Sequence, residues 1–258
     1  MKLRFFSVLF FTCMNINSNT FASIQPVKSI KSQLLVKYAV PNYTKSDLEI
    51  LKKETLAHGG ESVEALIEVM KNGQYPDKNR WVATFLLGQI MGEKSAPFLV
   101  KFFQHPHWVM RMASLKTMLA LKQDQYGSHY AKLLQDESMI VRTQALENIQ
   151  KLKIKSVAPQ VWAMLYDKKN YYQPSQKGKG LARKRSKLLS RAIETIGDLK
   201  FKDAMPPLLK MIQKDKYDDV FHEMDYALSE MTGVKSPEGT KASKRLFWQR
   251  KGLDQTII

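Results

Sequence analysis

The chain has 258 residues, 44% of them hydrophobic, one cysteine, and a formal net charge of +17 at pH 7. That apolar content is enough to bury a sizeable core, while a lone cysteine excludes an intramolecular disulfide. The basic balance favours acidic partners: nucleic acid, anionic lipid, acidic glycan or an acidic protein surface.

Residues 1–22 follow the grammar of a secretory signal, with Lys2 and Arg4, an apolar run from Phe5 to Met14, and Thr20-Phe21-Ala22 as a small-x-small cleavage site. The run is shorter than the roughly 20 residues a bilayer-spanning helix needs, and no later stretch reaches that length. The expectation is an exported chain, periplasmic or secreted, with no integral membrane span. Phe10-Phe11-Thr12 makes a poor lipobox before Cys13, and cleavage after Ala22 removes that cysteine.

Residues 23–42 form an N-terminal extension, and a repeat follows. "RWVATFLLGQIMGEKSAPFLV" from Arg80, "RMASLKTMLALKQDQYGSHYA" from Arg111 and "RTQALENIQKLKIKSVAPQVW" from Arg142 align at a spacing of 31. In step come Ala83, Ser114 and Ala145; Leu87, Met118 and Ile149; Ile90, Leu121 and Leu152; and Pro97, Ser128 and Pro159. Ala192, Ile196, Leu199 and Pro206 continue the columns, displaced by 47. Weaker copies begin at Thr44, an N-cap-like residue, and at Tyr217. Each unit reads as two helices, the first with apolar residues at i, i+3, i+4 and i+7, the second starting near the proline. Strand alternation is absent. A hairpin this short cannot bury its own stripe, so neighbours must stack. The expected fold is all-α, a right-handed α-solenoid of five to six hairpins over residues 43–233, closed by a loop and capping helix at 234–258.

The long period carries 16 extra residues, an insertion placed within 168–187, a segment with eight Lys or Arg, no Asp or Glu, and Tyr171 and Tyr172 beside Pro174. Its glycines and proline read as a loop, with an early helix start from Leu181. Basic residues with interleaved aromatics hold phosphates and stack on bases, and solenoid insertions map to loops beside binding surfaces. The candidate partner-binding residues are Tyr171, Tyr172, Lys177, Lys179, Arg183, Lys184, Arg185 and Lys187.

The pattern V-R-x-x-A followed by L/I-x-x-L, seen best in "DESMIVRTQALENIQKL" and followed by "SVAPQVWAML", resembles HEAT-like repeats of the short type also found in phycobilisome lyases. In that family an Asp six residues before the Arg, together with the Arg, ties adjacent repeats. Asp136 and Arg142 keep that pair, whereas Gln74 and His105 stand where the other acids would be. The ending "LSEMTGVKSPEGTKASKRLFWQRKG" is similar to C-terminal caps of bacterial HEAT proteins, with Trp248 in the last helix.

The aligned Arg80, Arg111 and Arg142 suit stacking better than an anion-binding row. His105 and His107 lack a third metal ligand unless His129 joins them, and His222-Glu223 is a single pair on a polar helix face. Lys177-Gly178-Lys179-Gly180 lacks P-loop spacing. The tryptophans and methionines fall mostly on packing faces. No catalytic, cofactor-binding or metal residue stands out. The expectation is a non-catalytic exported scaffold holding a protein partner in the cell envelope, since solenoids offer extended concave surfaces. The alternatives are a solenoid that binds nucleic acid, lipopolysaccharide or another acidic polymer, and a cofactor-lyase-like enzyme.

Overall fold

The computed structural model describes residues 29–172, 184–185 and 187–254. The signal-like segment, Cys13, and Lys177, Lys179 and Arg183 of the candidate site lie outside them. Among the described residues the fold is all-α apart from one two-residue ladder. The elements are α1 (Ile30–Tyr38), α2 (Lys45–Ala57), α3 (Val63–Lys71), α4 (Asp77–Met91), α5 (Ala96–Leu99), α6 (Trp108–Ala120), α7 (Gly127–Leu133), α8 (Met139–Lys151), α9 (Ala158–Ala163), β1 (Tyr171–Tyr172), β2 (Lys184–Arg185), α10 (Lys187–Asp198), α11 (Met205–Ile212), α12 (Phe221–Thr232) and α13 (Lys241–Asp254). No described helix is long and apolar enough to cross a membrane.

The longer helix of each unit packs on that of the next, α4 on α6, α6 on α8, α8 on α10 and α10 on α12. The shorter helices fill the space behind: α3 lies on α4, α7 on α8, α9 on α10 and α11 on α12. This arrangement follows from the aligned columns. Ala83, Ser114, Ala145 and Ala192 are all buried, as are Leu87, Met118, Ile149 and Ile196 one turn further on. A small residue in that column lets neighbouring helices approach. At the same seam a Cβ added to Gly197 would lie 2.6 Å from the Ala227 Cα, so α10 and α12 touch backbone to backbone.

Each long helix is followed by a residue of positive φ. Gly59, Gly92, Lys122, Lys153, Lys200 and Gly233 all take positive φ, between 52° and 73°. After α6, α8 and α10 the full Schellman pattern is present: Gln123 N–H donates to Met118 O, Ile154 N–H to Ile149 O and Phe201 N–H to Ile196 O. The chain then turns into the second helix, where Pro97, Pro159 and Pro206 occupy the first positions and cost no hydrogen bond. Thr44 caps α2 in a reciprocal box with Asp47.

The ends are tied in differently. The stretch before Thr44 supplies α1, whose Leu34 and Tyr38 are fully buried, and Asn79 Nδ2 donates to Tyr38 O at 2.7 Å and Val40 O at 2.8 Å. At the other end α13 closes the core over α11. Trp248 is fully buried and its Nε1 donates to Asp225 Oδ1 at 2.7 Å, while Lys244 lies 2.6 Å from the other oxygen. Burial opposes ionisation of Asp225, but hydrogen bonds from Lys244, Ser236 and Trp248 outweigh it and hold the carboxyl below its ordinary range. Arg245 reaches Asp215, Asp218 and the carbonyl of Ile212.

Candidate binding groove at the base of the insertion

The three aligned arginines are structural. Arg142 donates to the carbonyls of Asp136 and Glu137 in the loop that starts its own helix, and to Lys169 O at 3.1 Å in the next unit. Arg111 binds the carbonyls of His105 and Pro106 in the same way and places Nη2 2.8 Å from Asp136 Oδ1. Its Nε lies 2.8 Å from Oδ2, a close contact of charges that is out of line for a hydrogen bond. The carboxylate of Asp136 therefore serves the arginine one repeat earlier, and Arg142 takes only its carbonyl.

In the preceding unit His105 stands in the acid's place, 3.3 Å from Arg80 Nη2. Burial pushes this imidazole's pKa down, and Nδ1 accepts from the His107 N–H at 3.0 Å. That leaves the ring proton on Nε2, so the ring cannot receive Arg80 as a carboxylate would. Arg80 relies instead on Met70 O at 2.9 Å. His129 packs edge-on to Tyr126, and no group of three metal-ligating side chains exists among the described residues.

The Arg142 contact holds the entrance of the insertion. Asp167 accepts from the Lys169 N–H and caps a short turn; Asn170 is buried and its Nδ2 donates to Met164 O at 3.0 Å. Beyond it β1 and β2 pair antiparallel, Tyr171 with Arg185 and Tyr172 with Lys184. The ladder departs from the expected helix start near Leu181: Lys184 and Arg185 are extended, and α10 begins at Lys187. Pairing at the neck joins the two ends of the insertion, and an extended backbone at 184–185 cannot belong to a helix.

Beside this neck lies a groove of about 340 Å³, lined by Leu165, Tyr166, Tyr171, Leu189, Ile193, Pro207, Lys210, Met211, Tyr217 and Val220. Leu189, Ile193 and Val220 form its floor and are buried. Tyr171 closes one wall, fixed by its hydroxyl donating to Leu165 O at 2.6 Å. Tyr166 stands at the rim 68% exposed, its ring edge-on to Trp162, and Lys210 supplies an exposed cation. The chemistry is that of a receptor for an apolar or aromatic side chain flanked by negative charge: an apolar lining, tyrosine hydroxyls at the edge and an ammonium.

Of the sequence-predicted site residues, Tyr171 lines the groove and Lys187 is exposed at the first turn of α10. Tyr172, Lys184 and Arg185 are placed by their backbone pairing. Tyr166, Lys210, Met211 and Tyr217 were not legible as site residues, because they come from different units; the only signal was the break in period that brings those units together. Trp108, expected in a packing face, is 41% exposed.

On the far side of α10, Glu194 faces Glu223 and Asp198. Burial first, and then those two charges, push its pKa up. Asp198 is held by Gln150 Nε2 at 2.6 Å and by the Tyr226 hydroxyl at 2.5 Å, and that hydrogen bond, with burial, pushes the Tyr226 phenol up to about 12. No protein-family model matches the chain, and no curated protein matches it.

Proposed function

We propose that this protein is an exported, non-catalytic scaffold: a right-handed α-solenoid of HEAT-like hairpins that holds a protein partner in the cell envelope. The observation that carries this reading is the tyrosine-rimmed apolar groove at the one place where the repeat period is interrupted. The ordered stacking of long helices and the recurring positive-φ turn support the solenoid. The signal-like residues 1–22 support export. The partner inserts an apolar or aromatic side chain between Tyr166 and Tyr171, and acidic residues beside it meet Lys210, Lys187 and the basic insertion, which raises the association rate.

The test is a photo-crosslinking amino acid at Tyr166 in the mature protein, exposed to envelope extract at low and high salt. With the crosslinker moved to Met211 of the same groove, a protein adduct retained at high salt, and lost on Tyr166→Ser with Lys210→Glu, supports the groove. Retention by those variants, with loss only at high salt or on neutralising Lys179, Arg183, Lys184 and Arg185, would favour the acidic-polymer alternative.

A further inference from the structure

The two edges of the helix stack differ in chemistry. The turns leading from short helix to long helix carry exposed Trp108, Met139 and Ile140, and the insertion. The turns leading from long helix to short carry lysines. Three of these, Lys122, Lys153 and Lys200, occupy the positive-φ position itself, each at φ 53°. Glycine takes this backbone conformation freely, and a side chain with a Cβ does not. At the end of α12 the left-handed position is taken by Gly233, so the turn does not require lysine. Nor does the helix dipole, because a cation one residue earlier would meet the C-terminal carbonyls without the strained backbone.

The three lysine turns are neighbours in space. A Cβ on Gly127, at the end of the first turn, would lie 2.6 Å from Ile154 Cγ2 in the second. Gln150 of α8 donates to Asp198 of α10, two residues before Lys200. Lys155 and Lys202 are exposed two residues beyond Lys153 and Lys200. Five ammonium groups thus file along one edge, advancing about 10 Å per stacked helix. None of the five makes an ion pair among the described residues, and Asp124 and Asp203 are the acids in these three turns. No large apolar side chain is exposed in them, which disfavours insertion into a lipid surface.

We propose that this edge is a docking track for a linear phosphate-bearing polymer, each turn presenting its lysine to a phosphate farther along the chain. It is independent of the groove, which opens beside the insertion. The strained lysines make the proposal unusually testable, because the substitution that removes the charge also relieves the backbone. The experiment titrates labelled inorganic polyphosphate and a labelled 30-mer of deoxythymidine against the mature protein over a range of salt, with melting followed in parallel.

For the triple variant Lys122→Gly, Lys153→Gly, Lys200→Gly, affinity at low salt falls about tenfold or more, and the slope of log K against log salt drops by about 2. Its melting temperature is equal to or above that of the parent. Lys→Arg at the same three positions keeps affinity and slope, as does neutralisation of Lys179, Arg183, Lys184 and Arg185. Binding of one probe alone names the source of the phosphates and supports the track. Unchanged affinity and slope in the glycine variant, loss of binding in the insertion variant alone, or failure of both probes while anionic phospholipid vesicles bind, would each overturn it.

Discussion

Removing the carboxylate of Asp136 should uncouple two repeats. Its side chain is 7% exposed and that of Arg111 is 13%, so the pair sits in the interior where losing one partner leaves the other charged and poorly solvated. Such a loss costs about 3–5 kcal/mol. Arg111 would keep the carbonyls of His105 and Pro106, which places its share near the low end. The Ser138 N–H, 2.8 Å from Asp136 Oδ1 at the start of α8, also loses its acceptor, adding about 1 kcal/mol. The expected total for Asp136→Ala is about 4 kcal/mol, or roughly 8–16 °C in melting temperature for a chain of this size. A double-mutant cycle with Arg111→Met, read by urea unfolding under far-ultraviolet circular dichroism, isolates the pair; the coupling should be about 2–3 kcal/mol. The Arg80–Asp77 pair serves as control. Its atoms are 3.4 Å apart and Asp77 is 49% exposed, so its coupling should stay below about 1 kcal/mol. Equal couplings for the two pairs, or one under about 0.5 kcal/mol for Arg111 with Asp136, would refute the reasoning.

Gly197→Ala forces a methyl to within 2.6 Å of backbone at Ala227, and the same unfolding assay should show a loss of about 1–3 kcal/mol; an unchanged midpoint would mean that α10 and α12 are not in contact there. Trp248→Phe strips a donor from Asp225 and leaves a void where the fully buried indole was, and should cost about 2–4 kcal/mol at neutral pH. Because the folded pKa of Asp225 lies below its unfolded value, the parent carries that stabilisation above pH ~4 and loses it as pH falls through the folded pKa; the variant should show a smaller decline over that window. Glu194 has the opposite sign. Its folded pKa is raised, so ionisation weighs against the fold as pH climbs past ~4.5. Glu194→Gln should therefore raise the melting temperature at pH 7 and leave it unchanged near pH 3.5, and a gain of equal size at both would show that charge is not the cause.

The repeat was legible in the residues because burial is periodic. Once Arg80, Arg111 and Arg142 are aligned, the apolar columns follow; the structure buries the Ala83 and Leu87 columns and half-buries Ile90, Leu121 and Leu152. Prolines at the starts of the short helices and the Thr44 cap were legible for the same reason: their effects are confined to a few neighbouring residues. The partner of Asp136 was not. Asp136 lies six residues from Arg142 and 25 from Arg111, and the loop turns its carbonyl toward the first and its carboxylate toward the second.

The groove shows the same limit more strongly. The sequence by itself determined that a segment rich in lysine, arginine and tyrosine interrupts the 31-residue period, since composition and period are properties of a single chain segment. Only the tertiary structure decided that Tyr166, Tyr171, Lys210 and Tyr217 line one cavity, because they come from the turn after α9, from β1, from α11 and from the turn before α12, and no spacing along the chain joins them. The lysine edge stands between the two. Lys122, Lys153 and Lys200 recur in register and can be counted from the residues, but their shared positive φ and the closeness of their turns depend on how one helix end lies against the next.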